Sequence, residues 1–350
     1  MPPAPLSCDI FCAVIDNLGD AGVCWRLARQ LAVEHGWRVR LWIDDPAPID
    51  GFAPGQAVVA VRKWEGDFAG VAPADAADIV IEAFACNMPP AYVAAMAARR
   101  PAPVWLNLEY LSAEDWVAGC HGLPSPQAGL RKYFFFPGFA PGTGGLLRER
   151  DYAAPPAPSF DGLLEISLFC YDNPQLPALL AAWRDGGRPV RCHVCAGLPT
   201  AQVAAWLGMP FAPGSMAERG SLTLAALPFL TQPDYDALLA RCHLNFVRGE
   251  DSFVRAQWAE RPFVWQAYRQ ADGAHFAKLD AFLARYTDQP AVRALFRAWN
   301  GDGALDWPAH WSSFAAQLPA LAARAPGWAK QIAAHGDLAT NLVRFCADRL

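Results

Sequence analysis

Residues 8–35 read CDIFCAVIDNLGDAGVCWRLARQLAVEH. Cys8 to Ile15 is a short apolar run rich in strand formers, the turn Asp16-Asn17-Leu18-Gly19-Asp20-Ala21-Gly22 follows, and from Val23 to His35 apolar residues recur at three-to-four spacing. A strand, a glycine-bearing turn and a helix open a βαβ unit. The pattern predicts further strands from Val39 to Ile43, Val58 to Val61, Ile79 to Phe84 and Val104 to Leu108, with a helix from Ala91 to Arg99. Such regular alternation predicts an α/β fold whose parallel sheet is covered on both faces.

At residues 151–160 the chain reads DYAAPPAPSF, which sustains neither a ladder nor a helix and reads as a linker. After it the same grammar restarts. Strands are expected from Leu164 to Cys170, Val190 to Cys195, Leu222 to Pro228, Leu244 to Val247 and Phe263 to Ala267. Helices are expected between them, from Pro177 to Arg184, Ala201 to Leu207, Tyr235 to Cys242 and Phe253 to Ala259. The predicted organisation is a first doubly wound domain at 1–152, a proline-rich linker at 153–162, a second doubly wound domain at 163–320, and terminal helices at 321–350 that return to the first domain. Two such domains in tandem would leave a cleft between the carboxyl ends of their sheets, where ligands of open α/β sheets bind.

The 350 residues carry 29 Lys+Arg against 34 Asp+Glu, with 53% hydrophobic and 18% charged residues. That composition excludes a disordered chain, and a net charge of −5 argues against an electrostatic hold on nucleic acid or anionic lipid. Asp78 and Glu82 interrupt the most apolar stretch, so no membrane span is expected. The opening MPPAPLSCDIF lacks a basic start and carries Asp9 where a signal peptide needs an apolar run, which predicts a cytoplasmic protein. Ten scattered cysteines, including Cys8, Cys12, Cys170, Cys192 and Cys195 in strand-like runs, fit reduced core thiols. RCHVC at 191–195 is the one CxxC, with no second pair at zinc spacing, and the seven histidines form no HxH or HxxxH pair. No metal is expected.

Three strand-end loops are candidates for chemistry. In the first, Asp16 and Asp20 stand four residues apart on a loop turned by Gly19 and Gly22. The bland alternative makes Asp16 a turn residue and Asp20 a first-turn residue favoured by the helix dipole. The loop lacks GxGxxG, and the chain has neither a GK dipeptide for a Walker lysine nor GxSxG, which disfavours dehydrogenase, P-loop and hydrolase readings. In the second, Arg248-Gly249-Glu250-Asp251-Ser252-Phe253 opens a helix. Ser252 or Asp251 is expected to cap that helix, its free N–H groups and Arg248 forming an anion site suited to a pyrophosphate, while Gly249 admits a close backbone approach. An ordinary cap with a surface Arg–Glu pair is the alternative. In the third, Phe169 and Tyr171 share one side of a strand end and either sandwich a nucleobase or belong to the core. Gln232 opens a further helix and Glu109 ends another strand, lining the site or facing solvent. Tyr133 to Phe136 reads as core strand with a turn.

These residues resemble the elongation factor P arginine rhamnosyltransferases. The resemblance rests on CDIFCAVIDNLGDAGVCWRLARQL, VWLNLEYLSAEDWV, RKYFFFPGF, SLFCYDN and VRGEDSFVRAQWA, which run in order from residue 8 to residue 259. It implies a GT-B glycosyltransferase fold, with an acceptor-binding first domain and a nucleotide-sugar-binding second domain. It further implies inverting transfer of L-rhamnose from dTDP-β-L-rhamnose to the guanidinium of one arginine of elongation factor P, activating that factor for ribosomes stalled at polyproline. By the resemblance Asp20 is the proton acceptor, Asp16 its essential neighbour and Glu250 a further catalytic acid. Asn17, Gly19, Phe169, Tyr171, Gln232, Arg248, Gly249, Asp251, Ser252 and Phe253 hold the donor. No cofactor or metal is implied. The alternative on the same fold is a nucleotide-sugar transferase or epimerase acting on a small molecule.

Overall fold

The computed structural model describes residues 5–303 and 306–350, so Met1 to Ala4 of the opening run lie outside the described residues. The chain forms two compact units. Unit 1 comprises Met1–Tyr152 and Gln331–Leu350, and unit 2 comprises Ala153–Lys330.

Unit 1 contains β1 (Ser7–Cys12), β2 (Arg38–Ile43), β3 (Ala60–Lys63), β4 (Ile79–Ala83), β5 (Val104–Leu108), β6 (Pro124–Gln127) and β7 (Leu130–Phe135) in one sheet of order β3-β2-β1-β4-β5-β7-β6. All pairs are parallel except β6 with β7. Strands β4 and β5 are buried along their whole length, which is why they read as near-continuous apolar runs. The exception in β1 is Asp9. It is wholly buried, yet Arg40 Nε reaches its Oδ1 at 2.5 Å and the Tyr92 hydroxyl donates to Oδ2, so a charge that merely interrupts the opening run in sequence is satisfied inside the sheet.

Unit 2 contains β8 (Leu164–Leu168), β9 (Val190–Val194), β10 (Met216–Arg219), β11 (Leu222–Ala226), β12 (Leu244–Arg248) and β13 (Phe263–Gln266) in the order β10-β11-β9-β8-β12-β13, antiparallel only at β10. Its core is aromatic. Phe253 stacks on Trp265 with centroids 4.0 Å apart, and Phe282 meets both rings edge-on.

In each unit the chain winds outward in both directions from its first strand. The reversal falls between β1 and β4 in unit 1 and between β8 and β12 in unit 2. Loops leaving the carboxyl ends at such a reversal flank the crevice where open α/β sheets bind ligands.

Several boundaries differ from the sequence reading for local reasons. The first helix spans Gly19–His35, starting before Val23, because Asp20 N–H already donates to Asp16 O at 3.0 Å. The strand expected from Val58 starts at Ala60, since the Gln56 side chain ties up both the N–H and the C=O of Val59. Edge strands β6 and β10 carry no alternating pattern, and the PSPQ of β6 survives only because an edge tolerates proline. Of the aromatic run, Phe135 is fully buried and Tyr133 only partly so. The return to unit 1 falls at Gln331, not at 321, because helix Leu318–Ala333 runs through the expected boundary. Helix Leu338–Ala347 packs on helix Gly19–His35, and Gln30 Nε2 bonds Arg148 O at 2.7 Å and Asp337 Oδ1 at 3.0 Å.

All ten cysteines are free thiols, Cys192 and Cys195 among the buried ones. Among the described residues no three His, Cys, Asp or Glu side chains are grouped to hold a metal, and no helix is long and apolar enough to cross a membrane.

Candidate active site

The first cluster lies at the switch point of unit 1. Asp20 sits in the first turn of helix Gly19–His35, 3% exposed, and its Oδ2 accepts from the N–H groups of Ile15 and Asp16, both at 2.9 Å. Burial raises its pKa from 3.8 to about 6; the two main-chain bonds oppose the rise, and the charges of Asp16 and Asp44 add to it. The result is a carboxylate of near-neutral basicity at a strand end, the property a proton acceptor needs. Asp16 is buried beside it, and Asn17 is exposed at the turn. A Cβ on Gly19 would clash with the Asp16 side chain, so any larger residue there forces that carboxylate to shift. The sequence therefore brings Asp16, Asn17, Gly19 and Asp20 together as one loop.

The second cluster lies at the switch point of unit 2, where the loops after β8 and β12 meet. Arg248 ends β12, its guanidinium carbon 4.6 Å from the Phe169 ring centroid and 4.3 Å from that of Tyr171. These two rings, expected to sandwich a base, flank an arginine. Gly249, at φ 57, turns the chain into helix Asp251–Trp258, and its carbonyl accepts from Trp265 Nε1 at 2.7 Å. The expected cap is absent. Glu250 occupies the N-cap position without a side-chain cap bond. Ser252 Oγ turns back to the Arg248 peptide, accepting from its N–H at 3.0 Å and donating to its carbonyl, while Asp251 points along the helix to Arg255 Nε at 3.0 Å. With the N-cap side chain making no cap bond and Ser252 and Asp251 turned to other partners, the helix N-terminus has the arrangement that suits an anion. Phe253 departs further from expectation: its ring is 1% exposed, stacked in the core, so it can offer a ligand only its main-chain N–H. Gln232 opens helix Gln232–Arg241, which packs on Phe169 through Tyr235, and its buried Nε2 has no partner among the described residues.

Sequence reasoning missed a polar row beside the first cluster. Glu82 on β4 pairs with Lys132 at 3.0 Å, and Asn107 on β5 donates to Glu109 at the strand's end. Both side chains stand at the penultimate position of an apolar strand, IVIEA and VWLNL, and that misplaced polarity is the signal that would have found them.

Comparison with known proteins bears on the family and the fold. Residues 8–347 match the family described as Elongation-Factor P (EF-P) rhamnosyltransferase EarP. A protein-arginine rhamnosyltransferase of Pseudomonas putida is 48% identical over 98% of this chain and 99% of its own length. One of Pseudomonas aeruginosa is 47% identical over 98% and 100%. The solved structure that gives the structural basis for EarP-mediated arginine glycosylation of translation elongation factor EF-P aligns over 99% of this chain and 100% of its own, at 36% identity and a TM-score of 0.68. The glycosyltransferase VinC in complex with dTDP aligns at 14% identity and a TM-score of 0.54, a likeness of fold. The fold is GT-B, and with two switch-point clusters on two doubly wound units the chain belongs to the EarP family of EF-P rhamnosyltransferases.

Proposed function

We propose that this chain transfers L-rhamnose from dTDP-β-L-rhamnose to the guanidinium of one arginine of elongation factor P, with inversion at the anomeric carbon. Unit 2 takes the donor and unit 1 the acceptor. The observation that carries this reading is the chemical contrast between the two switch points: a buried carboxylate of raised pKa in one, a guanidinium beside a helix N-terminus whose N-cap side chain makes no cap bond in the other. Relatives named protein-arginine rhamnosyltransferase support it.

On the donor side, Arg248 and the N–H groups at Asp251, Ser252 and Phe253 face the pyrophosphate and stabilise the charge that grows on departing dTDP, a role for which many transferases use a metal. Gly249 lets the backbone approach, Phe169 and Tyr171 border the thymidine, and Gln232 offers its amide. Asn17 and Gly19 of the first loop are further donor-binding residues, and Glu250 acts as a further acid near the leaving group. No metal or cofactor enters the reaction.

On the acceptor side, a guanidinium has a pKa above about 12 and is a poor nucleophile until it begins to lose a proton. Asp20 cannot deprotonate it outright. Asp16 and Asp20 instead hold the guanidinium by charge-assisted hydrogen bonds; as its nitrogen bonds to the anomeric carbon and the bond to the dTDP oxygen breaks, the proton passes to Asp20. The elevated pKa of Asp20 shortens that thermodynamic gap. Attack opposite the leaving group turns the β-linked donor into an α-linked product. A translation-factor acceptor places the reaction in the cytoplasm and links it to ribosomes stalled at polyproline.

Intact-mass spectrometry of elongation factor P after incubation with enzyme and dTDP-β-L-rhamnose tests the reading. A gain of one deoxyhexose, abolished when the acceptor arginine is replaced by lysine, supports it; modification of a small molecule with no change in the protein refutes it.

A further inference from the structure

The loop after β4, Phe84 to Asn87, shares the unit 1 switch point with Asp16 and Asp20, because β4 is the strand that neighbours β1 across the reversal. Three of its four residues, none a glycine, adopt left-handed backbone: Phe84 at φ 57, Ala85 at φ 51 and Asn87 at φ 56. Such conformations are costly and persist only where surrounding structure over-determines them, which happens most often at functional sites.

Two buried side chains supply that determination. Glu82, 3% exposed, accepts from Asn87 N–H at 3.1 Å; Asn107, 1% exposed, accepts from Ala85 N–H at 3.1 Å. The loop also reaches β1, where Cys86 Sγ donates to Phe11 O at 3.4 Å, and its Phe84 ring stacks on Tyr110 at 4.3 Å. Phe11, Glu82 and Asn107 lie opposite one another across the three strands. The second function of Asn107 is directional: its amide donates to Glu109 Oε1, fixing that carboxylate at the end of β5. A buried pair such as Glu82 with Lys132 adds little net stability over an apolar replacement, so its place here is better explained by geometry.

We propose that Glu82 and Asn107 are positioning residues for the acceptor arginine: they lock the Phe84 to Asn87 loop and the Glu109 carboxylate at the unit 1 switch point, where Glu109 receives the guanidinium together with Asp16 and Asp20. A guanidinium presents five donors in a rigid fork, more than one carboxylate satisfies, and a third oxygen-bearing wall meets that demand. The inference rests on the transferase reading above and names how that site holds its acceptor.

The test is an exchange of groups. N107D keeps the oxygen that accepts from Ala85 but loses the donor to Glu109 and sets two carboxylates against each other. N107D/E109Q restores the hydrogen bond with donor and acceptor reversed. Initial rates of elongation factor P rhamnosylation, unfolding temperature and dTDP affinity are measured for wild type and both variants. The expected result is an acceptor KM raised about tenfold or more in N107D, the loss typical of one hydrogen bond to a charged group, with dTDP affinity unchanged. In N107D/E109Q the unfolding temperature recovers and the acceptor KM does not, because the charge has left position 109. An unchanged acceptor KM in N107D, or a wild-type acceptor KM in the double variant, overturns the proposal while leaving the transferase reading intact. A wild-type enzyme that transfers nothing to the protein overturns both.

Discussion

Replacing Asp20 by asparagine separates stability from catalysis with opposite signs. The rise from 3.8 to about 6 means that ionised Asp20 costs the folded state about 3 kcal/mol at neutral pH, at roughly 1.4 kcal/mol per unit. The folded pKa lies above the unfolded one, so between about pH 4 and pH 6 the folded protein keeps a proton that the unfolded chain has released. The contribution of this group to stability therefore falls as pH rises through that window, and it stays lost above it. Asparagine is neutral throughout, and its side-chain oxygen can still accept from Ile15 and Asp16. At pH 7.5 D20N is expected to be more stable than wild type by up to ~3 kcal/mol, which at about 2–4 °C per kcal/mol is several degrees in the unit 1 calorimetric transition. Below pH 4 the two proteins converge. Donor affinity is retained, and turnover falls by about 10²–10⁴, the usual worth of a positioned base. Scanning calorimetry from pH 3.5 to 7.5, with calorimetric titration of dTDP-rhamnose and the mass assay, checks all three. A variant less stable than wild type at pH 7.5, a stability difference that ignores pH, loss of donor binding, or turnover within tenfold of wild type would each refute the assignment.

The wild-type enzyme should show the same ionisation as an acid limb, kcat/KM dropping with unit slope below about pH 6. R248A and Y171A are expected to weaken dTDP binding about tenfold or more by titration calorimetry, since the proposed donor site sets Arg248 against the diphosphate and Tyr171 holds Arg248; unchanged affinity in both would remove the anion site. G19A sets a methyl against Asp16 Oδ2, so transfer should fall at least tenfold; normal turnover would show that the Asp16 position is not critical. EDTA dialysis should leave the rate unchanged, and restoration by added divalent cation would contradict the metal-free mechanism.

The parallel sheets were legible because both faces are covered, so β1, β4, β5, β8 and β12 appear as apolar runs between helical patterns. Edge strands β6 and β10 were not, since their pairing comes from a neighbour and not from their own residues. Within the site, the positions of Asp16, Asp20 and Arg248 followed from strand ends. What those groups do locally did not: the capping expected of Ser252 and Asp251 gave way to other partners four residues away, the Arg248 main chain for one and the Arg255 guanidinium for the other. Phe253 reads as a ligand-facing residue until Trp265 and Phe282, brought in by later elements, enclose its ring. The Glu82 and Asn107 row escaped for the same reason, its meaning depending on a strand order that no local pattern records.

The discontinuity of unit 1 has a consequence for biosynthesis. Unit 2 is one contiguous segment, whereas unit 1 closes only when Gln331–Leu350 arrive to pack helix Leu338–Ala347 on the helix that carries Asp20. On a translating ribosome, domains fold as their segments emerge. Unit 1 is begun before unit 2 and completed after it, so a nascent chain can finish unit 2 while unit 1 still lacks the brace. Arrival of Gln331–Leu350, and not synthesis of the Asp16 and Asp20 loop, is the moment at which the carboxylates gain their final support.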